Sequence, residues 1–162
     1  MMEAKSKKKL SIISFSGEFD KAVAVFTLAS GSAAVNYEVN IFFTFWGFNA
    51  VKLKPGHSFV GKGVLGRFFN FLMGGFNNLP LSRLNFGGIS PKLMTHMMKS
   101  KNVATLSELR DASIALGVNL YACEMSMHIM GTQKSDFIPE IKEILGVAKF
   151  LELAEGGQVI FI

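Results

Sequence analysis

The sequence contains almost no cysteine, since Cys123 is the only thiol among 162 residues. A single thiol excludes an intramolecular disulfide, a Cys-x-x-Cys redox pair and a zinc site built from the cysteines of one chain. Long hydrophobic runs are missing as well. The best candidate, residues 63–80, contains Arg67 and three asparagines, whereas a membrane span needs about 20 largely apolar residues. We therefore expect no membrane span, and we expect Cys123 to be either a small core residue or a chemically active one.

A secretory signal is also missing from the start of the sequence. Residues 1–9 are polar and rich in lysine, and the apolar run at 10–15 is shorter than the apolar region of about 7–15 residues in a typical signal peptide. Hydrophobic residues make up 49% of the chain and charged residues 18%, which is too apolar for a disordered protein. The prediction is one folded domain over residues 1–162, located in the cytoplasm.

Acidic residues are absent from a long internal stretch. None occurs between Glu38 and Glu108, although that stretch holds eight cations and therefore carries +8, while the remainder has 9 basic and 12 acidic residues and carries −3. A concentrated positive field attracts anions or an acidic partner, although the same distribution can arise by chance. The eight cations are Lys52, Lys54, Lys62, Arg67, Arg83, Lys92, Lys99 and Lys101.

The chain alternates apolar runs with helix-forming segments. Residues 9–15 and 38–45 are rich in β-branched and aromatic side chains and predict buried strands, while the alanine-rich residues 18–35 between them predict a helix. A short helix is predicted at 46–52. The order strand, helix, strand with apolar strands is typical of a parallel βαβ unit.

Residues 55–90 form an irregular, basic segment rich in phenylalanine and glycine. An unstructured loop of this length is unusual in a compact domain, so the segment is interpreted as a functional insertion: a lid, an oligomer contact or a membrane-surface contact. A G-x-G-x-x-G pattern at Gly61, Gly63 and Gly66 does not follow a strand, and we interpret it as fortuitous.

The second half of the chain returns to regular patterns. Helices are predicted at 92–101, with a methionine-rich face interpreted as core filler, and at 106–116, opened by a capping box of Thr105 and Glu108. A strand follows at 118–122 with Cys123 at its end, then a helix at 124–130, a long helix at 136–153 and a strand at 158–162. Four or five strands alternating with helices predict a three-layer α/β sandwich with a mostly parallel sheet.

Cys123 is the residue best placed for chemistry. Open α/β sheets bind their ligands beyond the carboxyl ends of the strands, and Cys123 stands at such an end just before a helix. A helix start and nearby cations favour the thiolate, the form that attacks persulfides, disulfides and thiosulfonates, whereas the adjacent Glu124 opposes it. A buried, inert cysteine is the alternative.

Other candidate sites are weaker. The histidines His57, His96 and His128 have no spacing typical of a zinc site, and His128 is not on the helix face of Cys123. The turn at 14–18 precedes a helix, and its backbone amides are candidates for binding an anion. No metal, cofactor or nucleic-acid partner is predicted.

Two motifs resemble those of a known family. The sequences FFTFWG at 42–47 and ACEMSMHIMG at 122–131, with SGEFDKA at 16–22, are similar to the DsrE/DsrF-like sulfur-relay family, in particular to the subgroup sometimes labelled peroxiredoxin-like. The resemblance implies a flavodoxin-like fold, trimers or hexamers, and a cysteine that exchanges a persulfide with a TusA-like carrier or a rhodanese. That role falls on Cys123. A disulfide-forming or peroxidase mechanism is not implied, because a second cysteine is missing.

The leading hypothesis is therefore a cytoplasmic sulfur carrier or sulfurtransferase component with Cys123 as the acceptor. Ser16, Gly17 and Trp46, which follow two other strands, are predicted to frame the substrate pocket. The alternative hypothesis is a non-catalytic oligomeric assembly or membrane-surface module that uses residues 55–90, because a basic amphipathic segment can lie on anionic lipid.

Overall fold

A computed structural model describes residues 7–53, 64, 75–83 and 89–162 of the chain. Its centre is a parallel sheet of five strands in the order β4-β3-β2-β1-β5. The strands are β1 (Lys9–Ser14), β2 (Glu38–Phe43), β3 (Asn119–Cys123), β4 (Ile141–Leu145) and β5 (Gln158–Phe161).

Among the described residues, five α-helices and three short 3₁₀ turns connect the strands. The helices are α1 (Phe19–Ala34), α2 (Ile89–Ser100), α3 (Leu106–Ala115), α4 (Glu124–Met130) and α5 (Val147–Ala154). The 3₁₀ turns are Phe45–Val51, Phe76–Asn78 and Lys134–Asp136.

The sheet is covered on both faces, and two adjacent phenylalanines of β2 show how. Side chains alternate between the faces of a strand. Phe43 packs toward Phe26 of α1 with ring centres 6.2 Å apart, whereas Phe42 stacks on Phe150 of α5 at 4.5 Å. Helix α3 lies beside α1, since Ser113 Oγ donates a hydrogen bond to the Phe26 carbonyl oxygen. The predicted three-layer α/β sandwich is confirmed.

Local sequence signals set several helix boundaries. The capping box of α3 is present, because Thr105 Oγ1 accepts from the Glu108 amide while Glu108 Oε2 accepts from the Thr105 amide. Such a cap stabilises a helix by about 1 kcal/mol. Helix α4 ends at Gly131, whose φ of +65° is a conformation that favours glycine.

Two sequence predictions are wrong. Residues 136–153 do not form one helix, because β4 occupies Ile141–Leu145 and only α5 is helical. The methionine-rich face of α2 is not core filler: Leu93, Met94 and Met97 are exposed, and only Met98 packs against the core. The helix itself begins at Ile89, three residues before its predicted start.

Part of the predicted insertion at 55–90 lies within the described residues. Residues 75–83 pack against α1 and α3. Asp20 accepts hydrogen bonds from the amide and hydroxyl of Ser82, and the Arg110 guanidinium lies 3.9 Å from the ring centre of Phe76. His57 and the Gly61–Gly66 pattern lie outside the described residues. Among the helices that the structure describes, none has the length and hydropathy to cross a membrane.

Candidate functional site

Three neighbouring strands end at the same edge of the sheet, and the predicted site residues follow them. In the register of the parallel pairs, Ser14 of β1 is opposite Phe43 of β2, and Phe43 is opposite Ala122 of β3. Cys123 is therefore level with the first residue after β2. Because parallel strands about 4.8 Å apart share this edge, the segments after β1 and β2 approach the edge where Cys123 stands.

The segments after β1 and β2 interlock through their backbones. Thr44 donates its amide hydrogen to the Ser14 carbonyl at 2.9 Å, and Gly47 donates to the Phe15 carbonyl at 2.9 Å. Phe45 has a φ of +43°, which is rare for a bulky residue and stores strain of about 1–3 kcal/mol. This conformation turns the chain so that Trp46 and Gly47 fold back over the end of β1.

The structure brings Gly17 and Trp46, two of the three residues predicted to frame the substrate pocket, close together, and the third, Ser16, is the neighbour of Gly17 in the chain. A Cβ atom on Gly17 would lie 2.9 Å from Trp46 Cβ and 3.1 Å from the Trp46 carbonyl oxygen, so only glycine fits. Trp46 keeps 38% of its surface exposed. The close approach therefore joins Gly17 to the backbone and Cβ of Trp46, and the Trp46 residue is partly exposed at this edge of the sheet.

Two backbone amides of the turn at 14–18 donate hydrogen bonds within the protein. The amides of Phe15 and Ser16 both donate to the Ile162 carbonyl oxygen, and the Phe19 amide donates to the Pro80 carbonyl oxygen. These three donors are engaged by the protein itself, so an anion at this turn would have to be bound by other amides. Sequence reasoning missed this because the acceptors are distant in sequence.

Cys123 is the last residue of β3 and the N-cap of α4. It is a free cysteine, 1% exposed, and it is paired in register with Leu145 of β4. The side chain of Glu124, which the sequence suggested as an opposing charge, is exposed to solvent. Reaction at Cys123 therefore requires a local opening of its surroundings.

A serine that the sequence analysis did not single out lies one helical turn from Cys123. Ser126 is fully buried, and among the described residues its hydroxyl has no hydrogen-bond partner. Positions three apart share one face of a helix, so Ser126 at N3 lies on the side of the N-cap residue Cys123. A buried hydroxyl without a partner is unusual and is a candidate to contact whatever reaches the thiol. Ser126 belongs to the motif ACEMSMHIMG, but the sequence gives no sign that its side chain is buried. Only the structure shows this burial.

A small cavity of about 150 Å³ opens along the outer side of α4. Its lining includes Glu124 and His128, which are one helical turn apart, together with Met127, Thr132 and Ile144. Both His128 and Glu124 are exposed, whereas Cys123 is buried. Within the described ranges, no three histidine, cysteine, aspartate or glutamate side chains converge in a way that could hold a metal ion.

A second cleft, of about 380 Å³, lies where α1 and α3 begin. Phe19, Pro91, Lys92 and Thr105 are among its lining residues. It contains one of the eight cations of the basic stretch. Arg83, Lys99 and Lys101 are also exposed to solvent.

Lys52 is a buried cation, 4% exposed, at the end of the 3₁₀ turn Phe45–Val51. It forms an antiparallel bridge with Phe137. Burial lowers the pKa of Lys52 from 10.5 to about 8, and the charge of Asp136 opposes this shift. A lysine with a lowered pKa in the folded state makes stability depend on pH.

We expect the wild-type protein to gain stability relative to Lys52→Met as the pH rises from about 8 to 10.5, the interval between the folded and ordinary pKa values. In this interval the unfolded chain binds a proton that the folded chain does not, so the free energy of unfolding rises with pH, by roughly 1–3 kcal/mol in total. Urea unfolding of both proteins across this range measures the difference. Lys21→Met, at an exposed lysine, is the control. A difference that stays constant with pH would contradict the expectation.

Comparison with known proteins identifies the family. A sequence profile of the DsrE/DsrF/DrsH-like family matches residues 6–162. The chain belongs to this family. It is similar to the uncharacterized protein YrkE of Bacillus subtilis, with 42% identity over 153 residues that cover 94% of each chain. It is also similar to the sulfur carrier protein DsrE2 of Allochromatium vinosum, with 37% identity over 154 residues that cover 94% of this chain and 96% of that one.

Solved structures share the fold at low identity. The protein of unknown function MTH1491 from Methanobacterium thermoautotrophicum has a TM-score of 0.52 at 10% identity, covering 96% of this chain and 100% of that one. The YchN protein of E. coli has a TM-score of 0.51 at 10% identity, covering 96% and 99%. At this identity the likeness concerns the fold alone.

The family profile and the two related sequences confirm the resemblance to the sulfur-relay family that the two motifs indicated, and they support a sulfur-relay role.

Proposed function

We propose that this protein is a sulfur carrier that holds a sulfane-sulfur atom on Cys123. The observation that carries the proposal is the position of the chain's only thiol, at the carboxyl edge of the sheet, in a chain that is 37% identical to a protein named as a sulfur carrier. A carrier needs one thiol, whereas a disulfide-forming enzyme needs two.

The loading step is an exchange between sulfur atoms. The Cys123 thiolate attacks the outer sulfur of a donor persulfide, a bond forms between Cys123 Sγ and that sulfur, and the donor's sulfur–sulfur bond breaks. The donor leaves as a thiolate, and the same exchange in reverse passes the sulfur to an acceptor thiol. Electrons balance without an external oxidant. A thiosulfonate group is the alternative cargo on the same atom.

Residues around the strand ends are proposed to hold the cargo. We assign Ser16, Gly17 and Trp46 to a wall of the pocket because they follow β1 and β2 at the edge of the sheet where Cys123 stands, and we assign the Ser126 hydroxyl as a donor for the outer sulfur. Because Cys123 is 1% exposed, the short helix α4 or its neighbours must move before a donor reaches it. Such gating protects a reactive persulfide from solvent.

The partners that we propose follow from the same role. A TusA-like carrier or a rhodanese would supply or accept the sulfur in the cytoplasm, and the protein would assemble as a trimer or hexamer. The basic stretch favours an anionic cargo or an acidic partner. The alternative hypothesis, a membrane-surface module, concerns residues 55–90, which lie mostly outside the described residues.

Intact-mass spectrometry after exposure to glutathione persulfide tests the proposal. We expect the wild-type protein to gain the mass of one sulfur atom, to lose it again with dithiothreitol, and Cys123→Ser to gain nothing. Met125→Ser is the matched control, because it removes an exposed sulfur two residues away and should load like the wild type. The proposal fails if the wild type gains no sulfur, or if Cys123→Ser gains as much as the wild type.

A further inference from the structure

Helix α4, which follows Cys123 directly, depends on its neighbours for stability. It has seven residues, whereas an isolated helix shorter than about 12–15 residues is marginal in water. Its N-cap residue Cys123 forms no side-chain capping hydrogen bond. The main contacts of α4 are with β3 and with the 3₁₀ turn Phe45–Val51. Packing against these two elements therefore holds α4 in place.

Two buried hydroxyl groups make the packed position of α4 costly. Ser126 lies within the helix and is fully buried, and Thr132, which follows Gly131, is 7% exposed. Among the described residues, neither hydroxyl has a hydrogen-bond partner. Buried polar groups in folded proteins are nearly always paired, and an unpaired one costs free energy. Water can reach both hydroxyls when α4 moves off the sheet, so their desolvation favours the displaced helix.

The packing beside α4 is also incomplete. Met127 of α4 and Ile144 of β4 line the cavity of about 150 Å³, and Thr132 lines it as well. Atoms at a cavity lack packing partners on one side, so displacing the helix there loses fewer contacts than in a close-packed core. Gly131 ends α4 with a φ of +65°, and glycine can change its backbone conformation at little steric cost. Gly131 is therefore suited to act as a hinge.

We propose that α4 is a hinged cover of Cys123, which swings about Gly131 and exposes the thiol while the rest of the fold stays intact. The unpaired hydroxyls of Ser126 and Thr132 set how often the cover opens. Thr132 is thus a positioning residue that acts on Cys123 through the helix. The inference concerns access to the thiol by any reagent, so it can hold even if the protein carries no sulfur.

The rate at which iodoacetamide alkylates Cys123 in the folded full chain tests the cover. Thr132→Val keeps the shape of the side chain and removes the unpaired hydroxyl, so the closed form gains stability. We expect alkylation to slow by about 5-fold or more, equivalent to roughly 1 kcal/mol, and Ser126→Ala to act in the same direction. Thr95→Val is the matched control, because the Thr95 hydroxyl donates to the Pro91 carbonyl oxygen on α2, and it should react like the wild type. Mass spectrometry follows the reaction.

Two measurements on the wild type separate a moving helix from unfolding of the whole chain. Opening of α4 exposes little surface, so we expect the alkylation rate to change little at low urea, and the amides of α4 to exchange hydrogen faster than those of β2. The inference is overturned if alkylation rises with urea as steeply as global unfolding. It is also overturned if α4 exchanges as slowly as β2, or if folded Thr132→Val and Ser126→Ala both react as fast as the wild type.

Discussion

Gly47→Ala is expected to lower the free energy of unfolding by about 3 kcal/mol or more. A Cβ atom on Gly47 would overlap the Ser14 carbonyl oxygen and lie 2.8 Å from the Ser14 carbonyl carbon. Backbone cannot rotate away as a side chain can, so the end of β1 must move. That movement disturbs the hydrogen bond from Thr44 to Ser14 and the one from Gly47 to Phe15. Chemical denaturation monitored by circular dichroism measures the loss.

Gly31→Ala is the matched control for this substitution. Gly31 lies in α1, and a Cβ atom there would meet nothing within 4 Å. Alanine is favoured over glycine within a helix by roughly 0.5–1 kcal/mol, so this variant should be slightly more stable than the wild type. Equal denaturation midpoints for the two variants would show that the contact between Gly47 and Ser14 is not tight.

The expected cost at Gly47 explains why glycine follows tryptophan in the motif FFTFWG. Glycine permits the backbone to pass against the end of β1, and Trp46 is thereby placed over Gly17. A larger residue at position 47 would push this segment away from Ser14 and would disturb the contact between Trp46 and Gly17. The motif therefore has a structural cause that applies whether or not Trp46 contacts the cargo.

Phe43→Ala is expected to lower the free energy of unfolding by about 3–5 kcal/mol. Phe43 lies in the central strand β2, is fully buried and packs against Phe26. Removing the ring loses its transfer free energy and leaves a cavity between the sheet and α1. Since domains of this size are stable by only about 5–15 kcal/mol, a substantial fraction of the variant should be unfolded at moderate temperature.

Phe43→Leu serves as the graded control, because leucine keeps most of the apolar volume. We expect it to lose less than half as much stability as Phe43→Ala, measured by urea unfolding of both variants beside the wild type. If leucine and alanine were equally destabilising, the specific packing of the ring against Phe26 would matter more than the volume it fills.

Much of the architecture could be predicted from the sequence, because local pattern and tertiary environment agree there. Strands β1 and β2 are rich in β-branched and aromatic side chains and are largely buried on both faces. The sequence signals that predicted α3 and α4 lie within a few residues of the observed ends of these helices. The approach of Gly17 to Trp46 also followed from the rule that parallel strands end at one edge. Their role in binding remains a prediction.

Other features depend on contacts that no local pattern reveals. Strand β4 has the sequence IKEIL, with residues common in helices, and it is extended because β3 offers it a pairing partner. Leu93 and Met97 are exposed because of where α2 lies in the fold. Apolar residues at helical spacing give the same sequence pattern whether that helix face is buried or exposed. The burial of Cys123 and Ser126 likewise results from packing of α4 against the sheet.

The pairing of β1 with β5 has a consequence for synthesis on the ribosome. Leu10 is paired with Gln158, so one side of the first strand has no partner until almost the whole chain has been translated. At about 5–20 residues per second, that side stays open for roughly 7–30 seconds. We therefore expect chaperones to cover this strand edge in nascent chains of the protein. Slow codons late in the message would lengthen the time for which the edge of β1 stays unpaired.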